Sequence, residues 1–189
     1  SNNVVLGTGT TGVIINSSNG LSTSAYKIAN YDSSKIAIAD AGNNISEFAY
    51  NGNINAGSST LQWSKNFSLS QNSSQIWSAL IYNHFGIIVA NDSYGNTVNV
   101  IASANVTVTT TTYGTLDGYT YQVEATSSTN SVQGHITNTF GSLGVNYTQF
   151  NTPNCLTEDN EFNIIVGDYN NRLTYIPTAL SYLANVQAP

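Results

Sequence analysis

Residues 105–112 read NVTVTTTT, and after the turn pair Asp117-Gly118 the chain resumes at residues 119–124 as YTYQVE. Val and Thr carry two heavy atoms on Cβ, which stiffens χ1 and suits them to a pleated sheet. Tyr119, Tyr121 and Val123 alternate with Thr120, Gln122 and Glu124. A period of two places each set on one face of a strand. The two runs therefore predict strands.

The pattern extends in both directions. Ile36 and Ile38 share a face within Lys35–Asp40, and Leu61 and Trp63 alternate in the same way. The most apolar stretch, Ile76–Ala90, reads as two strands broken near Asn83 and Gly86, or as a short helix followed by a strand. Val98 with Val100, then Val145, Tyr147 and Gln149, then Phe162, Ile164 and Val166 predict further strand faces. Leu173–Leu183 is interrupted by Pro177, which fits an edge strand or a short helix after the proline. Turn signals stand at Asn51-Gly52, Tyr94-Gly95-Asn96, Asp117-Gly118 and Gly167-Asp168. Short strands at this spacing predict an all-β sandwich or barrel.

Composition narrows the function. Only 7% of the 189 residues are charged, whereas 27 Asn, 23 Ser and 22 Thr supply a neutral hydrogen-bonding surface. The net charge of −6 excludes the clustered Lys and Arg that nucleic acid or an anionic membrane surface would require. No run of about 18 apolar residues is present to span a bilayer. Ser1 and the absence of Met read as an exported, extracellular chain whose leader has been removed. With ten acids and two histidines, few groups couple stability to pH, so acid tolerance is expected. The single cysteine, Cys155, reads as a small buried apolar residue.

Seven N-x-S/T sequons, at Asn16, Asn44, Asn66, Asn72, Asn91, Asn105 and Asn146, are candidate N-glycan acceptors. Composition alone would give about six, so their number reports capacity rather than enrichment. Asn105 is expected to lie in a strand and point outward.

No metal-ligating or catalytic spacing stands out. Glu158-Asp159-Asn160-Glu161, and Asp168 with Asn170, read as solvated acidic loops rather than calcium loops. Gly7-Thr8-Gly9-Thr10-Thr11-Gly12 matches GxGxxG only literally, because no strand–helix unit follows. No cofactor or metal is expected, nor an enzymatic activity. An amide cross-link from Lys27, Lys35 or Lys65 to an Asn or Asp is chemically open, with the pair undefined by sequence. Trp63, Trp77 and twelve tyrosines are weighted toward packing, with a carbohydrate-binding face as the alternative.

The first fifteen residues stand apart. Val4–Ile15 reads VVLGTGTTGVII, apolar at both ends, and its glycines oppose a helix. It is expected to be an extended arm (residues 1–15) ahead of a β-sandwich domain (residues 16–189). This arm, the Asn/Ser/Thr surface, the scarcity of charge and the lack of cysteine pairs resemble the thread pilins of thermoacidophilic archaea of the Sulfolobales. The resemblance implies a pilin-like or immunoglobulin-like β-sandwich completed by a donor strand from a neighbouring subunit. It also implies a glycosylated cell-surface filament of identical subunits, serving adhesion or cell–cell contact. Matched to that arm, Val4, Val5, Leu6, Val13, Ile14 and Ile15 would be the anchoring residues. Fifteen extended residues reach about 50 Å, enough to cross a neighbouring domain. The competing readings are an ordinary hairpin closed at Asn19-Gly20, a secreted monomeric carbohydrate-binding module, and an acid-stable hydrolase.

Overall fold

Most of the β-branched and aromatic runs form strands, with turns at residues 83–86 and 93–96, while Asn51-Gly52, Leu61, Asp117-Gly118 and residues 178–183 fall outside the described residues. A computed structural model describes residues 4–6, 13–15, 20–21, 23–31, 35–50, 63–70, 75–116, 119–130 and 133–177. Among these, every regular element is a β-strand and every strand pairing is antiparallel.

Two short strands come first, β1 (Val4–Leu6) and β2 (Val13–Ile15). A four-stranded sheet follows, in the order β3 (Ala25–Tyr31), β4 (Lys35–Asp40), β5 (Asn44–Tyr50), β6 (Trp63–Ser70). The next strands are β7 (Trp77–Tyr82), β8 (Ile88–Asp92) and β9 (Thr97–Ile101). A two-stranded ribbon, β10 (Val106–Leu116) with β11 (Tyr119–Asn130), separates these from β12 (Ile136–Phe140). The second four-stranded sheet has the order β12-β9-β8-β7. A three-stranded sheet of β13 (Cys155–Glu158), β14 (Ile164–Asp168) and β15 (Arg172–Ile176) completes the described chain.

The sheets stack in three layers, with β7, β8, β9 and β12 in the middle. Their alternate side chains serve two cores. Trp77, Leu80, Ile88, Ala90 and Ile101 meet Ala37, Ala39 and Ile45 of the first sheet. On the opposite side Val89 and Val98 meet Ile164, Val166 and Ile176, with Phe150 from the preceding loop. Burial on both faces explains why Ile76–Ala90 lacks clean alternation. Both faces are apolar, so its periodicity disappears. The break expected near Asn83 and Gly86 is a turn between two strands. Gly86 takes φ 72° there, and a Cβ would come within 3.0 Å of the Tyr31 ring.

The first sheet also buries its outer face. Ile36, Ile38 and Phe48 pack there beneath Ile15 and Leu21. Ile36 and Ile38 share that face, as their spacing predicts, while Ala37 and Ala39 fill the inner one.

Four expectations need correction. Val145, Tyr147 and Gln149 form no strand. They lie in an open loop closed by a single bridge between Leu143 and Phe150, and Tyr147 is 95% exposed. Alternation there finds no opposing sheet to fix it. Gly167-Asp168 ends β14, and the turn begins one residue later. Phe162 lies before that strand at φ 65°. Asn105 immediately precedes β10 rather than lying within a strand, and it is exposed.

Candidate functional site

The buried acids fall into two kinds, and the first closes turns. Asp40, Asp92 and Asp168 each end a strand that enters a hairpin. Asp40 Oδ1 accepts from the backbone N–H of Gly42 at 2.9 Å and of Asn44 at 3.0 Å. Asp92 Oδ1 accepts from the N–H of Tyr94 at 3.1 Å, Gly95 at 3.0 Å and Ile76 at 3.0 Å. Asp168 accepts from the N–H of Asn170 at 3.1 Å and Asn151 at 3.0 Å, and pairs with Arg172 at 3.3 Å. Asn83 repeats the device with a neutral oxygen, accepting from the N–H of Phe85 and Ile87. Asn43, Asn96 and Asn171 take left-handed φ of 55–61° near the ends of the same three Asp hairpins, as asparagine tolerates well.

Asp159 does likewise in the loop before β14, accepting from the N–H of Glu161 at 2.9 Å and Asn163 at 2.8 Å. The hydrogen bond from the Asn163 side chain, with help from those two backbone groups, holds its carboxyl below the ordinary range despite some desolvation. The Asp159 oxygens are thus committed to their own loop, and those of Asp168 to its hairpin, to Arg172 and to the Asn151 backbone. Among the described residues, no group of three or more His, Cys, Asp or Glu side chains is placed to hold a metal ion.

The second kind is Glu47. It is fully buried on the inner face of β5, opposite Ala37 of β4. Its Oε1 accepts from Asn66 Nδ2 at 2.8 Å and lies 3.8 Å from Lys35 Nζ. Its Oε2 accepts from the Tyr82 hydroxyl at 2.8 Å and from the Ser103 hydroxyl. Lys35 Nζ also donates to Ser103 Oγ at 3.0 Å. Asn66 reaches this carboxylate because β6 is irregular there. Glu47 pairs with Phe67 and Phe48 with Lys65, so Asn66 is the extra residue of a bulge. A bulge redirects a side chain that regular pleating would send elsewhere. Lys35 and Ser103 also line an open cleft of about 180 Å³, together with Tyr31, Phe85, Gly86 and Asn105. Sequence reasoning passed over Glu47. Its signal is a lone acid in ISEFAY, between Ile45 and Phe48.

A third feature is the outer layer. Cys155, Gly167 and Leu173 stand in register across the last sheet, as do Thr157, Ile165 and Tyr175. They face away from the core, and Leu173 and Tyr175 are 71% and 58% exposed on the edge strand β15. Cys155 is exposed on this face, so the expectation of a buried thiol is wrong. It alternates outward from Leu156, which packs against the core.

The arm residues lie as follows. Val4 pairs with Ile15, Val5 with Ile14 and Leu6 with Val13. The apolar ends of the arm therefore pair with each other instead of continuing as one extended strand. The glycine-rich residues 7–12 between them fall outside the described residues. This ladder joins no other sheet among the described residues. Ile15 is buried on its own domain, against the outer face of the first sheet.

The seven sequons separate by environment. Asn16 and Asn72 fall outside the described residues. Asn91 is fully buried, with Nδ2 donating to the Cys155 carbonyl at 3.0 Å, and the folded chain leaves no space for a glycan there. Asn44 Nδ2 donates to both oxygens of Asp40. Asn66 lies on an exposed strand but turns its amide to Glu47. Asn105 and Asn146 are exposed.

No protein-family model matches the sequence, and no curated protein matches it. No helix among the described residues is long and apolar enough to cross a membrane.

Proposed function

We propose that this protein is a structural subunit of an extracellular, glycosylated filament, assembled head to tail when each subunit lends its N-terminal arm to the next. The observation that carries the reading is the position of two features on opposite outer layers. The arm is rooted at Ile15 on the outer face of the first sheet, while the apolar edge strand β15 bounds the layer on the far side. A head-to-tail polymer needs its donor and acceptor at opposite ends.

In this reading the three-pair ladder of β1 and β2 is exchanged for pairing along β15 of a neighbour. Two-stranded ribbons are marginal alone, so opening three pairs is a small cost. Strand addition supplies main-chain hydrogen bonds, and each aliphatic side chain fully buried adds about 1.5–3 kcal/mol. Val4, Val5, Leu6, Val13 and Ile14 are the residues offered, with Ile15 staying behind as the root. Asn105 and Asn146 are the glycan sites most compatible with the folded subunit. Adhesion or cell–cell contact is the role that such a filament would serve.

The test is electron microscopy of native material beside polymerisation of the Leu173→Asp and Tyr175→Asp variants. Long filaments with the arm on β15 are expected, and both variants should remain monomeric while melting like the unaltered subunit. Native material that is monomeric, or a filament whose arms stay within their own subunits, would reject the reading.

A further inference from the structure

We infer that Lys35 and Asn66 condense into an intramolecular amide cross-link, with Glu47 moving the proton. Three observations converge on this pair. The Lys35 amine and the Asn66 carboxamide nitrogen approach one atom, Glu47 Oε1, at 3.8 and 2.8 Å. The carboxylate is fully buried, and its second oxygen is held by Tyr82 and Ser103, so its first oxygen has a fixed direction. The bulge at Asn66 aims that side chain at the acid from an otherwise exposed strand position.

The chemistry balances without an outside reagent. Lys35 Nζ passes a proton to the Ser103 hydroxyl, to which it donates, and that hydroxyl passes its own to Glu47 Oε2. The freed amine attacks Asn66 Cγ, while the acid hydrogen-bonds the carboxamide. The Cγ–Nζ bond forms and the Cγ–Nδ2 bond breaks. Glu47 takes a proton from Nζ and delivers one to Nδ2, which leaves as ammonia. The ammonia then takes up a proton as ammonium, restoring the Glu47 carboxylate. The product N–H donates to Oε1 in place of the departed Nδ2. The cleft beside Lys35 and Ser103 provides an exit.

The strands permit the bond. β4 and β6 flank β5, so their backbones lie about 9–10 Å apart, within the joint reach of a lysine and an asparagine side chain. The link would tie the edge strand β6 to the sheet interior and enclose the connection between β5 and β6. It also excludes a glycan on Asn66, because a glycan is attached to the Nδ2 that the link expels.

Intact-mass measurement and peptide mapping of the full chain, purified from a host without N-glycosylation, test the inference. The folded protein should be lighter than its sequence by one ammonia, and a branched peptide should join Lys35 to Asn66. Lys35→Arg keeps a cation beside Glu47 but lacks the nucleophile, and it should show the full sequence mass. Glu47→Gln should do the same while retaining its near-ultraviolet circular dichroism. Should Glu47→Gln fail to fold, Lys35→Arg still decides. Wild-type protein at full mass with only linear peptides would overturn the inference. So would a branched peptide involving a different lysine, or native material with a glycan on Asn66 and a free Lys35 amine.

Discussion

Asp40 and Glu47 lie in one hairpin, seven residues apart, and both are buried, yet they do different work. Asp40 directs its oxygens to N–H groups of its own loop and to the Asn44 side chain. Glu47 directs its oxygens to side chains from β6, β7 and the segment after β9, with Lys35 of β4 nearby. The first acid satisfies local backbone, as hairpin turns throughout the chain require. The second gathers residues from 31 positions before Asn66 to 68 positions after Lys35, which no local turn needs. Its interactions are with reactive or hydrogen-bonding side chains, and one of them requires a bulge. A buried acid engaged with backbone N–H groups beside its own turn closes that turn, whereas one engaged only with side chains from several strands marks a site.

The comparison can be broken most severely at Glu47. Glu47→Ala removes the acceptor shared by Asn66, Tyr82 and Ser103 and the counter-charge of the partly exposed Lys35. Each buried donor so left unsatisfied costs about 1–3 kcal/mol, before any loss of the proposed link. Denaturant unfolding should register that drop, and a loss under about 1 kcal/mol would mean that the cluster is not held as described. Asp92→Ala comes next. It removes the acceptor for three backbone N–H groups, and the expected cost is about 1–3 kcal/mol because those donors lie near the turn and water reaches some of them. Asp92→Asn should recover part of it, since one amide oxygen can still accept.

The same contrast explains what the sequence disclosed. Strand alternation at Ile36 and Ile38, and the turn at Tyr94-Gly95-Asn96, are local signals and were legible. The boundary of β14 was misread because Gly167-Asp168 looks like a turn, although Asp168 is the last strand residue that organises the turn after it. KIAIAD, IVAND and IIVGD share that ending, an apolar run closed by Asp, and this is the signal that would have located the three hairpins. Val145 and Tyr147 alternated convincingly, but alternation alone cannot supply a neighbouring strand. The Lys35–Glu47–Asn66 group was not legible beyond the presence of lysines and asparagines. Its members meet through register and one bulge, which are tertiary facts. The three-layer stacking was hidden for a related reason, since a strand buried on both faces carries no periodicity to read.

The smallest expected effect separates Asp159 from both of these acids. Its loop is at the surface, so solvent screens its interactions, and loss of the carboxylate should barely alter stability at neutral pH. Its effect should appear on acidification. Hydrogen bonds from Asn163, chiefly from its side chain, and from Glu161 favour the charged form in the folded chain, so the folded pKa is lower than the unfolded one. For a carboxyl depressed in this direction, the stabilisation is fully present above the unfolded value. It declines as pH falls through the folded value, where the carboxylate protonates and the acceptors weaken. Thermal melts of wild type and Asp159→Asn should therefore differ at most slightly at neutral pH and converge in strong acid. Between the unfolded value and neutrality, the wild type should hold a constant small advantage at most. Below the unfolded value that advantage should shrink with each step down in pH. An Asp159→Asn difference that grows as the pH falls would show that the carboxyl is raised rather than lowered, and that its ties to Asn163 and Glu161 do not persist in solution.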